Sequence, residues 1–325
     1  MRKFFTRVLF ILLILYGCDA LAGMVLDWFR DHSPDGRYYK IRYSLMTCKE
    51  DVIVIGSSRG EMDYVPQLIE DSLGMSCWNA GRGGQGPPYF RAIAEGILAR
   101  YTPKVVVLNM DEDELELPPN YEHAGILKPY YQSCPPIRPI LEKASTFERI
   151  LLKSRLYEYN SSFYYLFRPY LVHGLDGNTA EKGWKPVAKK LAIEFNGQLA
   201  PEPEKIPLNP ESVELFETTV RKLKERGCQV FIVTPPNFGR TVSASSEIEY
   251  LKEYSSKNGI PLIIYSNDTS FTSKPEYFAD TEHLNVGGAR IFTSNLAHRI
   301  KCMMQKQSGS SVSDNKINKP SDTKI

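Results

Sequence analysis

Residues 104–109 read KVVVLN. Three valines in succession leave no polar face, so the run suits a strand buried on both sides, as in a parallel sheet clad by helices. Four other short apolar runs join it: residues 51–55 (DVIVI), 75–79, 229–233 (QVFIV) and 262–265. Helical spacing fills the intervals. It runs through residues 62–73 to Gly74, through Phe90, Ile93, Ala94, Ile97 and Leu98, and through Val213, Phe216, Val220 and Leu223 to Gly227. It recurs at Ile248, Leu251 and Tyr254 before Gly259, and in a last stripe of Ala289, Phe292, Leu296 and Ile300. Strands alternating with helices predict a three-layer α/β/α fold with a central parallel sheet, and ligands at the carboxyl ends of the strands.

The 325 residues are 42% hydrophobic and 24% charged, which excludes disordered and low-complexity classes. Forty Lys and Arg face 38 Asp and Glu, a net charge of +2 that gives no field to recruit nucleic acid. The six cysteines contain no CxxC pair, and Cys77 and Cys228 flank strand-like runs as buried thiols do; no zinc site is readable.

At the N-terminus Arg2, Lys3 and Arg7 precede an apolar run from Val8 to Tyr16 that continues to about Leu26 if Asp19 is tolerated. That length can cross a bilayer, with the leading cations keeping the N-terminus cytoplasmic and exporting the rest. Three outcomes stay open: a signal anchor over residues 1–28, a signal peptide cleaved after Ala22 behind the Ala20-Leu21-Ala22 site, or a lipoprotein built on Cys18. Residues 29–50 then read as a tether, 51–304 as the folded domain and 305–325 as a disordered tail. Residues 118–207 break the strand–helix rhythm. Dense in tyrosine, phenylalanine and proline, they predict a largely helical cap over the strand ends, either a substrate platform or, for any single ring, simply packing.

Directly after the first strand comes Gly56-Ser57-Ser58-Arg59-Gly60. A serine at a strand-to-helix turn exposes its hydroxyl where a sheet presents ligands, although alone it would read as an N-cap. Asp280-Thr281-Glu282-His283 precedes the last helix. Of the five histidines only His283 has an acid three residues earlier in a loop, able to hold the imidazole in the tautomer that accepts a serine proton.

These residues resemble the SGNH or GDSL-like hydrolases. Gly56-Ser57-Ser58 looks like the family's nucleophile block, Asn79-Ala80-Gly81-Arg82-Gly83-Gly84 like its glycine block, and Asp280 and His283 match its last block residue for residue. With GSSRG close behind an apolar N-terminal segment, the chain is similar to the membrane-anchored subgroup of D-alanyl-transfer and polysaccharide O-acetylation proteins of the bacterial envelope. The resemblance covers residues 50–117 and 208–304. It implies a catalytic set of Ser58, Asp280 and His283 without a cofactor or metal, and an oxyanion hole from the amides of Ser58 and Gly84. It further implies an acylated glycan or other ester as substrate and a membrane acyltransferase as candidate partner. Arg59, Arg82 and Trp184 are candidate substrate contacts.

The third family block departs from the pattern. A gapless register places Asp113 where an oxyanion asparagine belongs, and an ionised carboxylate cannot donate. Either Asn109 reaches in from the strand end or backbone amides suffice, helped by Arg59 or Arg82. The acidic run Asp111–Glu114 could hold a cation or a positively charged substrate group; a solvated loop is the plainer expectation. Two rival functions remain in view: a non-catalytic glycan-binding or assembly component on the same fold, and a flavodoxin-like phosphate binder using GSSRG, for which no P-loop lysine or GxGxxG is present.

Overall fold

A computed structural model describes residues 1–160, 162–172, 181–193, 195, 197–201, 204–240, 242 and 244–317, with side chains through residue 306. Five strands form one parallel sheet in the order β2-β1-β3-β4-β5: β1 (Val52–Ile55), β2 (Cys77–Asn79), β3 (Val105–Asn109), β4 (Gln229–Thr234) and β5 (Leu262–Ile264). In register, Val54 sits beside Asn79 and Val107, and Val107 beside Phe231. All five residues of β3 are buried, as the valine run requires.

The helices are α1 (Arg2–Asp31), α2 (Gly36–Arg42), α3 (Ser58–Asp63), α4 (Pro66–Leu73), α5 (Pro87–Leu98), α6 (Arg138–Leu141), α7 (Glu148–Leu151), α8 (Phe163–Leu171), α9 (Pro210–Glu225), α10 (Ser246–Asn258), α11 (Thr269–Thr272) and α12 (Val286–Ile317). Alternate strand residues feed two separate cores. Ile53, Ile55, Val106 and Leu108 pack with α2, α5, α9 and the insertion, whereas Val52, Val54, Val105 and Val107 pack with α4 and α12. The helices obey local rules: Asn209 caps α9 by accepting from the amides of Glu211 and Ser212, and Pro210 fills the first helical position.

Three expectations are corrected. Residues 29–50 are no tether: α2 and the π-helical turn Tyr43–Thr47 place Tyr38, Ile41, Leu45 and Cys48 fully inside the first core. Their polar spacing hid this, because Lys40 and Arg42 share the helix with the buried rings. The insertion is helical only in short pieces; residues 123–171 lie against α1, α2 and α5 on one face of the sheet, whereas Trp184 packs in the second core and Ala200, Glu204 and Ile206 reach the strand ends beside Arg240 and the cavity at Ser58. Of its rings, Tyr130 and Tyr159 pack fully buried, whereas Phe147, Phe163 and Tyr164 are exposed. The first part of the tail, residues 305–317, continues α12; residues 318–325 lie outside the described residues. All six cysteines are free.

Candidate active site

The carboxyl end of β1 turns through Gly56 and Ser57 into α3, whose first residue is Ser58. Two adjacent serines take different partners there. Ser57 Oγ donates to Asp111, whereas Ser58 Oγ lies 2.7 Å from His283 Nε2. His283 Nδ1 is 3.0 and 3.1 Å from the two Asp280 oxygens. With its proton on Nδ1, His283 donates to Asp280 and accepts from Ser58. Against the effect of burial, the amides of Glu282 and His283 and the imidazole itself hold Asp280 below the usual carboxylate range.

The loop carrying His283 is fastened to the helix carrying Ser58. Asp63, at the end of α3, accepts from the Leu284 amide at 3.1 Å, and burial pushes its carboxyl well up. Thr293 of α12 adds two bonds, donating to the Asp63 carbonyl and accepting from the Val65 amide.

Residues 81–84 form the facing wall. A Cβ on Gly81 would stand 2.6 Å from the Gly60 carbonyl carbon, so the two loops meet backbone to backbone. Gly84 has φ +71°, a conformation that favours glycine. Its amide and that of Ser58, at the first position of α3, enter no hydrogen bond among the described residues. A buried carboxylate fixes this wall: Glu61 accepts from the Gly83 amide (2.9 Å), Lys40 (3.1 Å) and Arg82 (3.4 Å). Burial pushes Lys40 down to about 8 even beside Glu61, and burial notwithstanding, Lys40, Arg82 and the Gly83 amide bring Glu61 down to about 2. Lys40 also donates to the Gly183 carbonyl at 2.7 Å.

Asn109 ends β3 with both polar atoms of its side chain engaged. It is fully buried, accepting from Tyr64 at 2.8 Å and donating to Asp111 at 3.0 Å. The acidic run is not a solvated loop. Arg59 reaches into it, bonding Asp111 at 2.7 Å and Glu112 at 2.5 Å, while Asn237 after β4 bonds both Arg59 and Glu112. An arginine placed between two carboxylates makes their burial tolerable, and they hold its proton well above the ordinary value despite desolvation. Trp184 is no substrate contact: it is 1% exposed and donates to the Met62 carbonyl. Arg82 stays beside Glu61.

A cavity of about 220 Å³ opens beside Ser58, with Arg59 and Asn237 in its wall. Six carboxylates line it, Asp111, Glu112, Asp113, Glu116, Glu204 and Glu282, against the guanidiniums of Arg59 and Arg240. Among the described residues of the insertion, Glu204 and Ile206 reach this lining. Among the described residues no group of three or more His, Cys, Asp or Glu is arranged to hold a metal ion. Sequence reasoning missed Lys40, Glu61, Asp63 and Asn237; the one available signal was a pair of acids, Glu61 and Asp63, in a short helix next to the candidate nucleophile.

No family model matches the chain, and no curated protein does. Among solved structures, it is similar to that of a "putative acylhydrolase" from Bacteroides fragilis, with 15% identity over 84% of this chain and 98% of that one and a TM-score of 0.39. A second solved structure shares 12% identity over 79% of this chain and 97% of its own, with a TM-score of 0.38.

Proposed function

We propose that the chain is a serine esterase or acyltransferase of SGNH type that acts on O-acyl groups of envelope polysaccharide or a related glycan. The observation that carries the reading is the relay of Ser58, His283 and Asp280, in which both ring nitrogens of His283 are within hydrogen-bond reach of the required partners. In the proposed reaction the Ser58 hydroxyl attacks the ester carbonyl as its proton passes to His283 Nε2. The oxyanion is met by the Ser58 and Gly84 amides. Collapse breaks the ester bond, His283 returns the proton to the departing sugar oxygen, and an acyl group remains on Ser58. Water then gives hydrolysis; a second sugar hydroxyl gives transfer. The acidic cavity favours neutral or cationic groups beside the ester and disfavours polymers dense in phosphate or carboxylate.

A fluorophosphonate probe tests this without knowledge of the substrate. Wild-type protein is expected to label, while Ser58→Ala and His283→Ala abolish labelling with their thermal unfolding unchanged. Folded wild-type protein that does not label places the non-catalytic glycan-binding reading first.

A further inference from the structure

α1 is long and apolar enough to cross a membrane, yet the stretch bare on all sides is too short to do so. From Phe4 to Cys18 the helix stands clear of the rest of the chain, a length of about 22 Å against the roughly 30 Å of a hydrocarbon core. At Asp19 the insertion takes hold. Asp19 accepts from Ser154 Oγ (2.6 Å) and from the amides of Arg155 (2.8 Å) and Leu156 (3.1 Å). Further on, Asp27 accepts from Tyr159 at 2.6 Å, and the Phe29 carbonyl from Tyr170 at 2.6 Å. Beyond Asp19 the apolar surface persists on one side only. Leu21, Met24, Val25 and Trp28, at helical spacing, are each half or more exposed.

The missing length is therefore supplied by a stretch of helix that already carries the insertion on its other face. Whatever covers Leu21 to Trp28 reaches the neighbouring insertion as well. There the exposed side chains are those of a membrane interface: Ile150 on α7, Leu156 beside Asp19, and Phe163, Tyr164 and Leu171 on α8, which packs against α1. Leu171 is 80% exposed. Arg149 and Lys153 lie among them, as cations do at headgroup depth.

We propose that α1 is a retained anchor and that this face of the insertion is seated in the headgroup and upper acyl region of the same leaflet. Asp19 is tolerated at that depth because two amides and a hydroxyl satisfy it. Cleavage after Ala22 would remove Asp19 and leave those three donors facing nothing. The inference does not depend on the esterase reading.

Trp28 is the exposed one of the three tryptophans, since Trp78 and Trp184 are 3% and 1% exposed, so emission reports position. Full-length protein is reconstituted in phosphatidylcholine vesicles with and without bromine on the upper acyl chain. The Trp28→Phe chain supplies the unquenched background, and Tyr164→Trp and Leu171→Trp are added to it singly. The added tryptophan is expected to lose roughly half its emission in brominated vesicles at one or both positions. Added emission that bromine leaves undiminished at both positions overturns the seating, and so does native membrane protein whose N-terminus is Gly23. Both changes are at exposed sites, and a thermal melt matching that of Trp28→Phe verifies the fold.

Discussion

Glu247 lies fully buried with one oxygen accepting from the Leu115 amide and the other without a partner. Glu114 nearby has neither oxygen bonded. Burial, reinforced by the surrounding carboxylates, pushes both groups well above the ordinary value of 4.5. Unfolded, Glu247 loses its proton near that value; folded, it keeps it. Stability therefore falls as pH rises from the unfolded value toward the folded one. Glu247→Gln keeps an acceptor for Leu115 and removes the titration. Its thermal unfolding should match wild type near pH 4 and exceed it by about 1–2 kcal/mol near pH 8. Equal stabilities at both values would mean that Glu247 is ionised in the fold. At this scale the sequence was most legible where chemistry forces spacing. Ser58 directly after β1 and Asp280 three residues before His283 are local patterns, and the structure brings both within hydrogen-bond reach of His283. Asp111 and Glu112 were misread because their partner Arg59 lies some fifty positions away, and no local pattern records a long-range ion pair.

Among the elements, α2 and the loop at 81–84 form one unit through Lys40 and Glu61. Each is nearly inaccessible, so the pair's value is judged by what is left when one partner goes. Glu61→Gln strands the Lys40 ammonium in the core and should destabilise the fold by about 3–5 kcal/mol. The single amide oxygen left cannot serve Gly83 on one side and Lys40 with Arg82 on the other as the two carboxylate oxygens do, so the 81–84 wall loosens and any esterase rate should fall further than the stability loss explains. Adding Lys40→Met removes the stranded charge and should restore most of the stability but not the rate. Denaturant unfolding and ester turnover on wild type and the two variants separate the effects. A double variant no more stable than Glu61→Gln would show that the charge is not what matters. The five strands were readable because continuous apolar runs have few other uses, and residues 104–109 enter β3 almost unchanged. α2 was not readable, for its buried lysine looks polar in sequence and becomes interior only when Glu61 arrives.

In the whole molecule the sheet order carries the β1, β2 and β4 connections to one edge, where Ser58 meets His283 across 225 positions. Such closure needs a fastening independent of the relay itself. Thr293 provides it, since its hydroxyl serves the Val65 amide and the Asp63 carbonyl at once, and Asp63 in turn receives the Leu284 amide next to His283. Thr293→Val preserves shape while orphaning a buried donor and acceptor, a loss of about 1–3 kcal/mol. If α12 positions the relay through this hydroxyl, His283 loses register with Ser58 as well. Fluorophosphonate labelling should then slow by about tenfold or more while remaining confined to Ser58. Thr293→Ser keeps the hydroxyl and should label near the wild-type rate even if removal of the methyl lowers stability. Labelling by Thr293→Val at the wild-type rate, despite reduced stability, would make the hydroxyl a packing feature and leave the histidine loop to be held by Asp63 and by the loop's own bonds, such as that from the Ala279 amide to the His283 carbonyl.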